Sequence, residues 1–313
     1  MTRSTTTRLV VSCSNRKSAT TPDGLMARHL DPSIAVAKRC QQWVECLSDS
    51  DAMVVPAESL YQGEHWTVST SIPALAPRGR QVELWVASAG YGLIRSTAPL
   101  RSYSAAFSDG ADRVAVGGDR SAWWSELANW EGPEPGQPRT LASLAKSHPK
   151  DSLLVALSPP YLRACVDDLL AARSTLADPS QMTVVCLGGQ APPGLRDSAP
   201  PVDARVQAEL GGSRQALNAR VARYLVTERA DSSLLEATKA LEMLVSRQPE
   251  LRRFDRTPTS DDRVSAFIRR RVDEDSSATK TALLREYRAS GFACEQHRFG
   301  RLFKEVLANN GPQ

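Results

Sequence analysis

Five short apolar runs, spaced along the first 187 residues, constrain the fold more than any other feature of the chain. They are Leu9-Val10-Val11, Ala52-Met53-Val54-Val55, Val82-Glu83-Leu84-Trp85-Val86-Ala87, Leu153-Leu154-Val155-Ala156-Leu157 and Met182-Thr183-Val184-Val185-Cys186-Leu187. Each is brief and rich in β-branched or aliphatic residues, as expected of strands buried on both faces of a parallel sheet. Helical patterns over 33–47, 121–129, 139–147 and 161–173 fall between them. This alternation predicts an α/β domain, three-layer α/β/α with a mostly parallel sheet.

Two further helices are expected near 213–228 and 232–247, after a loop rich in Pro and Gly, and residues 249–260 read as a polar connector. Short helical patterns follow near 261–272, 279–290 and 294–308. Gly291 stands at a helix stop and Cys294-Glu295-Gln296 at a new start, the outline of a helix-turn-helix. Two domains are therefore expected: an α/β/α domain over 1–248 and a small all-α helix-turn-helix domain over 249–313.

The charge distribution separates the same two parts. The 39 Lys and Arg against 35 Asp and Glu give a net charge of +4. Thirteen of the bases and nine of the acids lie in 251–313, which leaves 26 of each in the rest. A basic segment on a neutral body suggests a polyanion-binding appendage. The candidate DNA-binding residues are Arg285, Arg288, Gln296, His297, Arg298, Arg301 and Lys304, with Phe299, Leu302, Phe303 and Val306 forming the apolar face of the last helix.

Other classes are disfavoured. No run approaches the roughly 18 apolar residues of a spanning helix, and the N-terminal residues lack a signal-peptide pattern, so the expected compartment is the cytoplasm. The six cysteines contain no CxxC pair and the four histidines lie far apart, so neither a metal nor a disulfide framework is expected. Walker, GxGxxG and GxSxG motifs are absent, and no cofactor is expected.

In open α/β sheets ligands bind beyond the carboxyl ends of the strands. Four strand ends carry small, polar or aromatic residues: Cys13-Ser14-Asn15-Arg16-Lys17, Ser88-Ala89-Gly90-Tyr91-Gly92, Ser158-Pro159-Pro160-Tyr161 and Gly188-Gly189-Gln190. The first can bind an anion and orient a water. Tyr91, between two glycines, offers either a ring on which a planar base stacks or a packed turn tyrosine. Leu60-Tyr61-Gln62-Gly63-Glu64-His65-Trp66 adds an acid, an imidazole and aromatics, and Tyr103 through Asp112 adds Asp109, Asp112 and a further ring. Trp123, Trp124 and Trp130 read as packing residues. Cys13 has no nearby histidine in sequence, which argues against a thiol nucleophile.

The ordered set Ser12-Cys13-Ser14-Asn15-Arg16-Lys17, Leu60-Tyr61-Gln62-Gly63 and Ser88-Ala89-Gly90-Tyr91-Gly92-Leu93, followed by Pro99 and Tyr103, resembles a bacterial family with SCSxxK, LYxG and SAxYGL motifs. That family is distantly similar to the peroxide-stress protein YaaA and to the archaeosine synthase core. The resemblance covers about residues 8 to 230 and implies a uracil-DNA-glycosylase-like fold. One member type is the bacteriophage replication inhibition DNA glycosylase, which removes α-glucosyl-hydroxymethylcytosine from phage DNA. It implies a pocket for a flipped base, lined by Cys13, Ser14, Arg16, Tyr61, Gly63, Ser88, Tyr91, Gly92, Tyr103, Ser158 and Tyr161. Uracil-DNA glycosylases carry a water-activating carboxylate in the loop after the first strand, whereas this loop holds Asn15 and no acid before Asp23. Asn15 and Lys17 are then the expected catalytic residues, with Glu64 and Asp112 as carboxylates for an oxocarbenium-like sugar.

Three functions follow as expectations. The first is a DNA glycosylase acting on a modified base in anti-phage defence, with phage DNA as partner and no metal or membrane. The second is a non-catalytic DNA-binding protein of the YaaA type. The third is a base-modifying transferase of the deazaguanine type.

Overall fold

The computed structural model describes residues 6–115, 119–187, 191–227, 234–250 and 255–309. The Gly188-Gly189-Gln190 strand end lies outside them. The chain divides into two compact units, Met1–Pro249 and Glu250–Gln313.

The strands of the first unit are β1 (Thr6–Ser12), β2 (Val54–Pro56), β3 (Gln81–Ser88), β4 (Gly92–Arg95), β5 (Pro99–Arg101), β6 (Ser152–Ala156) and β7 (Met182–Val184). Its helices are α1 (Val36–Asp49), α2 (Ala57–Leu60), α3 (Glu64–Leu75), α4 (Arg120–Ala128), α5 (Leu141–Ser147), α6 (Pro159–Ala164), α7 (Val166–Thr175), α8 (Gln207–Leu210), α9 (Leu217–Thr227) and α10 (Leu234–Ser246). Five strands form one sheet in the order β4-β3-β1-β6-β7. All its pairings are parallel except β3 with β4. The unit is thus α/β with a mostly parallel central sheet. Its helices form two packed sets: α3, α9 and α10 with contacts to β3 and β6, and α1, α4 and α6 with contacts to β4. This is consistent with a three-layer α/β/α fold.

Central β1 explains why a run as short as Leu9-Val10-Val11 suffices. It pairs on both edges, Leu9 opposite Leu84 and Leu154, and Val10 opposite Trp85 and Val155. All three of its apolar residues are fully buried. Helix α1 covers the core with Cys40, Trp43 and Leu47, spaced three and four residues apart on one face. Half-buried Asp168 joins three helices: its carboxylate accepts the backbone N–H groups of Leu141 and Ala142 at 2.8 and 2.9 Å and the Trp124 indole at 2.9 Å.

Three sequence expectations change. The 52–55 run is not a strand of the main sheet: β2 pairs antiparallel with β5 in a separate ribbon, and Met53 and Val54 are 71% and 46% exposed. Beside the short helix α2 and outside the five-stranded sheet, the run has the composition of a core strand without the burial. The 161–173 pattern divides at Cys165 into α6 and α7. Helix α3, carrying Pro73 inside it, is an addition to the expected set.

The second unit contains α11 (Asp261–Glu274), α12 (Lys280–Ala289) and α13 (Gln296–Asn309), with two-residue strands β8 (Thr257–Pro258) and β9 (Phe292–Ala293) pairing in parallel. It is therefore not purely helical, and residues 256–260 belong to it rather than to a loose connector. Val264, Ile268, Leu283, Tyr287, Phe299 and Leu302 fill its own core. Gly291, at φ +84°, turns the chain between α12 and α13. Among the described residues no helix is long and apolar enough to cross a membrane.

The two valine environments provide a test. Val10→Ala should lower the free energy of unfolding by about 2 kcal/mol or more, as core truncations do. Val54→Thr should stay within about 0.5 kcal/mol. Chemical denaturation of the two variants checks both values.

Candidate active site

The loop after β1, the segment entering α3, the β3–β4 turn, the residues after β5 and the β6–α6 junction meet at the carboxyl end of the sheet. The ladder continues past β1, where Cys13 donates its N–H to Ala87 O at 2.9 Å. The Ser158 N–H donates to Ser12 Oγ at 2.8 Å, tying the β6 end to the β1 end. The Ser12–Lys17 loop is also fastened to the Tyr61 segment. Gln62 donates its N–H to Arg16 O at 2.9 Å, Ser18 donates to Leu60 O at 2.8 Å, and Ser14 Oγ donates to Gln62 O at 2.6 Å.

Beneath this loop lies a chain of buried hydroxyls. Ser88 Oγ is 2.7 Å from Tyr103 Oη, and Tyr103 Oη is 2.9 Å from Tyr61 Oη. Cys13 Sγ is 3.1 Å from Tyr161 Oη. Burial pushes Tyr61, Tyr103 and Tyr161 well above the usual phenol range, so all three stay neutral and serve as hydrogen-bonding hydroxyls. Gly90 makes this packing possible, because a Cβ there would stand 2.5 Å from two carbons of the Tyr103 ring.

Half-buried Lys17 sits above the cluster. Its Nζ lies 4.2 Å from the Tyr103 ring centroid and donates to Ser14 O at 3.2 Å and Asn15 O at 3.4 Å. Burial lowers its pKa, opposed by the Cys13 and Asp112 charges. Asn15 and Arg16 are exposed on the same loop.

The structure corrects several sequence expectations. Tyr91 is not an open stacking platform: it is 3% exposed, its ring packs edge-on against Tyr103, and its hydroxyl bridges the backbone N–H and C=O of Arg101. Gly92 serves the turn with φ +70°. Gly63, at φ +102°, precedes α3 and delivers Glu64 and His65. Glu64 is not a free carboxylate. It pairs with Arg220 at 2.6 Å and accepts the Ser213 N–H at 3.2 Å, and these bonds hold its pKa at about 2. Asp112 is held by Arg28 at 2.8 Å and Ser104 at 2.8 Å, and its pKa is likewise lowered, first by the Arg28 bond.

Three further residues stand here, one of them His65, which with Glu64 is a possible acid/base group from the sequence, and two, Asn218 and Arg139, that the sequence does not single out. His65 Nε2 is 3.2 Å from Ser12 O. A carbonyl can only accept, so this bond requires the hydrogen on Nε2 and leaves Nδ1 with a free lone pair. Burial lowers the His65 pKa and keeps the ring neutral. Asn218 of α9 donates Nδ2 to Leu157 O at 2.8 Å, which fixes its amide orientation, and its buried Oδ1 has no hydrogen-bond partner. Ser12 and Leu157 stand side by side one step beyond the Val11–Ala156 pairing, so His65 and Asn218 reach neighbouring strand ends from two helices that pack together. The third is Arg139, whose guanidinium donates to Leu93 O, Tyr91 O and Trp130 O at 2.6, 2.5 and 3.0 Å and so holds the β3–β4 turn. Burial draws its pKa down to about 10.

In the second unit the expected DNA-binding residues fall into two groups. Arg288 donates to Cys294 O at 2.9 Å, Arg298 to Asp261 and Thr259 O at 2.6 Å each, and Arg301 to Asp261 at 2.8 Å. These three arginines hold the unit together. Arg285, Gln296, His297 and Lys304 are exposed.

Among the described residues no group of His, Cys, Asp and Glu could hold a metal ion. No family model matches the chain, and no curated protein matches its sequence.

Two results are expected. Gly90→Ala should destabilise the protein by about 1–3 kcal/mol, the cost of overpacking, and quench the near-ultraviolet tyrosine dichroism. The Glu64–Arg220 pair, whose carboxyl pKa is depressed, contributes stability above the ordinary carboxyl pKa of 4.5 that fades as pH falls toward about 2. Thermal melts of Glu64→Gln should therefore lie below wild type at pH 7 and converge with it as the pH approaches 2.

Proposed function

We propose that this chain is a DNA glycosylase of uracil-DNA-glycosylase-like fold, carrying a C-terminal helix-turn-helix, that hydrolyses the N-glycosidic bond of a modified base and leaves an abasic site. The substrate class is a modified cytosine in phage DNA, such as α-glucosyl-hydroxymethylcytosine, and the setting is antiviral defence in the cytoplasm. One observation supports this reading above the others. The SCSNRK, LYQG and SAGYGL segments, far apart in sequence, converge on one polar cluster at the strand ends, where α/β sheets bind ligands.

In this mechanism water adds to the anomeric carbon as the carbon–nitrogen bond breaks, and the departing base takes up a proton. Positive charge develops on the sugar, and a fixed anion nearby stabilises it. Both carboxylates are held by arginines, Asp112 by Arg28 and Glu64 by Arg220, and Asp112 suits that role better because its field reaches Lys17. Lys17 supplies the cation that holds a phosphate beside the sugar, with Asn15 and Arg16 exposed next to it. The loop's missing carboxylate is replaced by His65 Nδ1, which takes one proton from the attacking water and so balances the proton taken up by the departing base, while Asn218 Oδ1 orients the water by accepting a hydrogen bond from its other hydrogen. A neutral imidazole is a competent base for that step.

A second reading, a non-catalytic DNA-binding protein, draws on the same cluster: the hydroxyls of Tyr61, Tyr103 and Ser88 bond to one another and Tyr91 bonds to backbone. Mass spectrometry of bases released from plain, hydroxymethylated and glucosyl-hydroxymethylated DNA separates the two. Release of a free base with alkali-labile sites is the expected result, and binding without release from any of the three selects the second. Lys17→Ala and His65→Gln should each slow release by about 100-fold while DNA affinity stays within a few-fold. Because only neutral His65 accepts a proton and its pKa lies below 6.5, the acid limb of the rate profile should fall below pH 6.5.

A further inference from the structure

Two groups stand out among the cations of the second unit. Arg288, Arg298 and Arg301 are bonded within the unit, two of them to the single carboxylate of Asp261. Lys280, Arg285 and Lys304 make no hydrogen bond or ion pair among the described residues, and all three are exposed. Their placement is not scattered. Lys280 and Arg285 line a cavity of 790 Å³ together with Thr281 and Gln296. Lys280 and Lys304 line a second cavity of 650 Å³ together with Gln296 and His297. Lys280 and Gln296 belong to both, so the two hollows adjoin and together make up a groove along α12 and α13. Gly300 keeps its floor low: the Lys280 stem crosses α13 only 3.4 Å from where a Cβ would stand.

The acids along the groove are fewer than its cations. Glu305 is engaged by Arg301 at 2.9 Å, Glu295 caps the start of α13 by accepting the backbone N–H of Arg298 at 2.8 Å, and Asp255 stands at the rim of the first cavity. Among the described residues no Phe, Tyr or Trp lines either cavity. Proteins that hold single strands stack bases on aromatic rings, and the described lining of this groove offers none. A row of free cations with an amide and an imidazole between them suits a stacked duplex, whose backbone presents phosphates and whose base edges present hydrogen-bonding groups.

We propose that this groove is the duplex-DNA surface of the second unit, with Arg285, Lys280 and Lys304 on the phosphates and Gln296 and His297 toward the base edges. It rests on the reading that DNA is the partner, and it gives Arg288 and Arg301, which also line the cavities, the task of holding the unit together rather than that of gripping phosphates.

The test is fluorescence anisotropy of the full-length chain with an unmodified 20-base-pair duplex across a salt series. The triple variant Lys280→Ala, Arg285→Ala, Lys304→Ala should bind at least about tenfold more weakly. Its log–log salt slope should be shallower by about 2–3, near 0.9 for each phosphate that is no longer neutralised, with an unchanged melting temperature. Arg301→Ala should lower the melting temperature of the second unit and keep the wild-type slope. If the triple variant binds with wild-type affinity and slope, the groove assignment falls while DNA remains the partner. Wild-type chain that binds a single strand more tightly than the duplex also overturns the groove. Wild-type chain that binds no DNA overturns the partner reading as well.

Discussion

Strand β1 is hydrogen-bonded along both edges and buried on both faces, and the candidate site follows from that confinement. A strand with neighbours at Trp85 and Val155 on either side of Val10 cannot slip without breaking two ladders. Whatever follows Ser12 is therefore delivered to one point in space. The β3 and β6 ends are fixed to the same point by the same ladders, and Ser158 donates directly onto Ser12. Loop chemistry that lies scattered in sequence thus becomes local without any loop needing to be long.

Four buried tyrosines near that point impose a second constraint. A hydroxyl taken from water without a partner costs roughly 1–3 kcal/mol, so each must be satisfied by another group. The chain meets this with side chains from different segments: Ser88 with Tyr103, Tyr103 with Tyr61, and Tyr161 with Cys13. Each bond is also a positional tie between segments. The neutral phenol faces give Lys17 a surface on which its ammonium rests while remaining open on one side. Packing and chemistry are here the same set of interactions seen from opposite directions.

Much of this was legible in the sequence. Fully buried strands announce themselves by unbroken aliphatic runs, and the polar residues after Val11, Ala87 and Leu157 pointed to the strand ends. What was not legible has physical causes. Val54 has the composition of a core strand, but burial depends on what packs over it, and Val54 stays 46% exposed. Helix α3 begins at a positive-φ glycine and contains Pro73, both of which read as breakers. Arg139 and Asn218 act through backbone carbonyls of distant turns, and no local pattern encodes such a partner. Arg298 and Arg301 look like a binding face because a helix wheel records their charge and omits Asp261, which lies on another helix.

The fastening of the Ser12–Lys17 loop to the Tyr61 segment has a consequence for how such a site can change. Backbone bonds in both directions, together with the Lys17–Tyr61 bridge, make the two stretches one mechanical piece. A graft that imports the first loop into another scaffold without the second would arrive with the Arg16 carbonyl, the Ser18 N–H and the Ser14 hydroxyl unanswered. The unit of inheritance, for a breeder of variants as for a lineage, is the pair of loops, and recombination breakpoints that preserve their fastening fall outside 12–62 rather than within it.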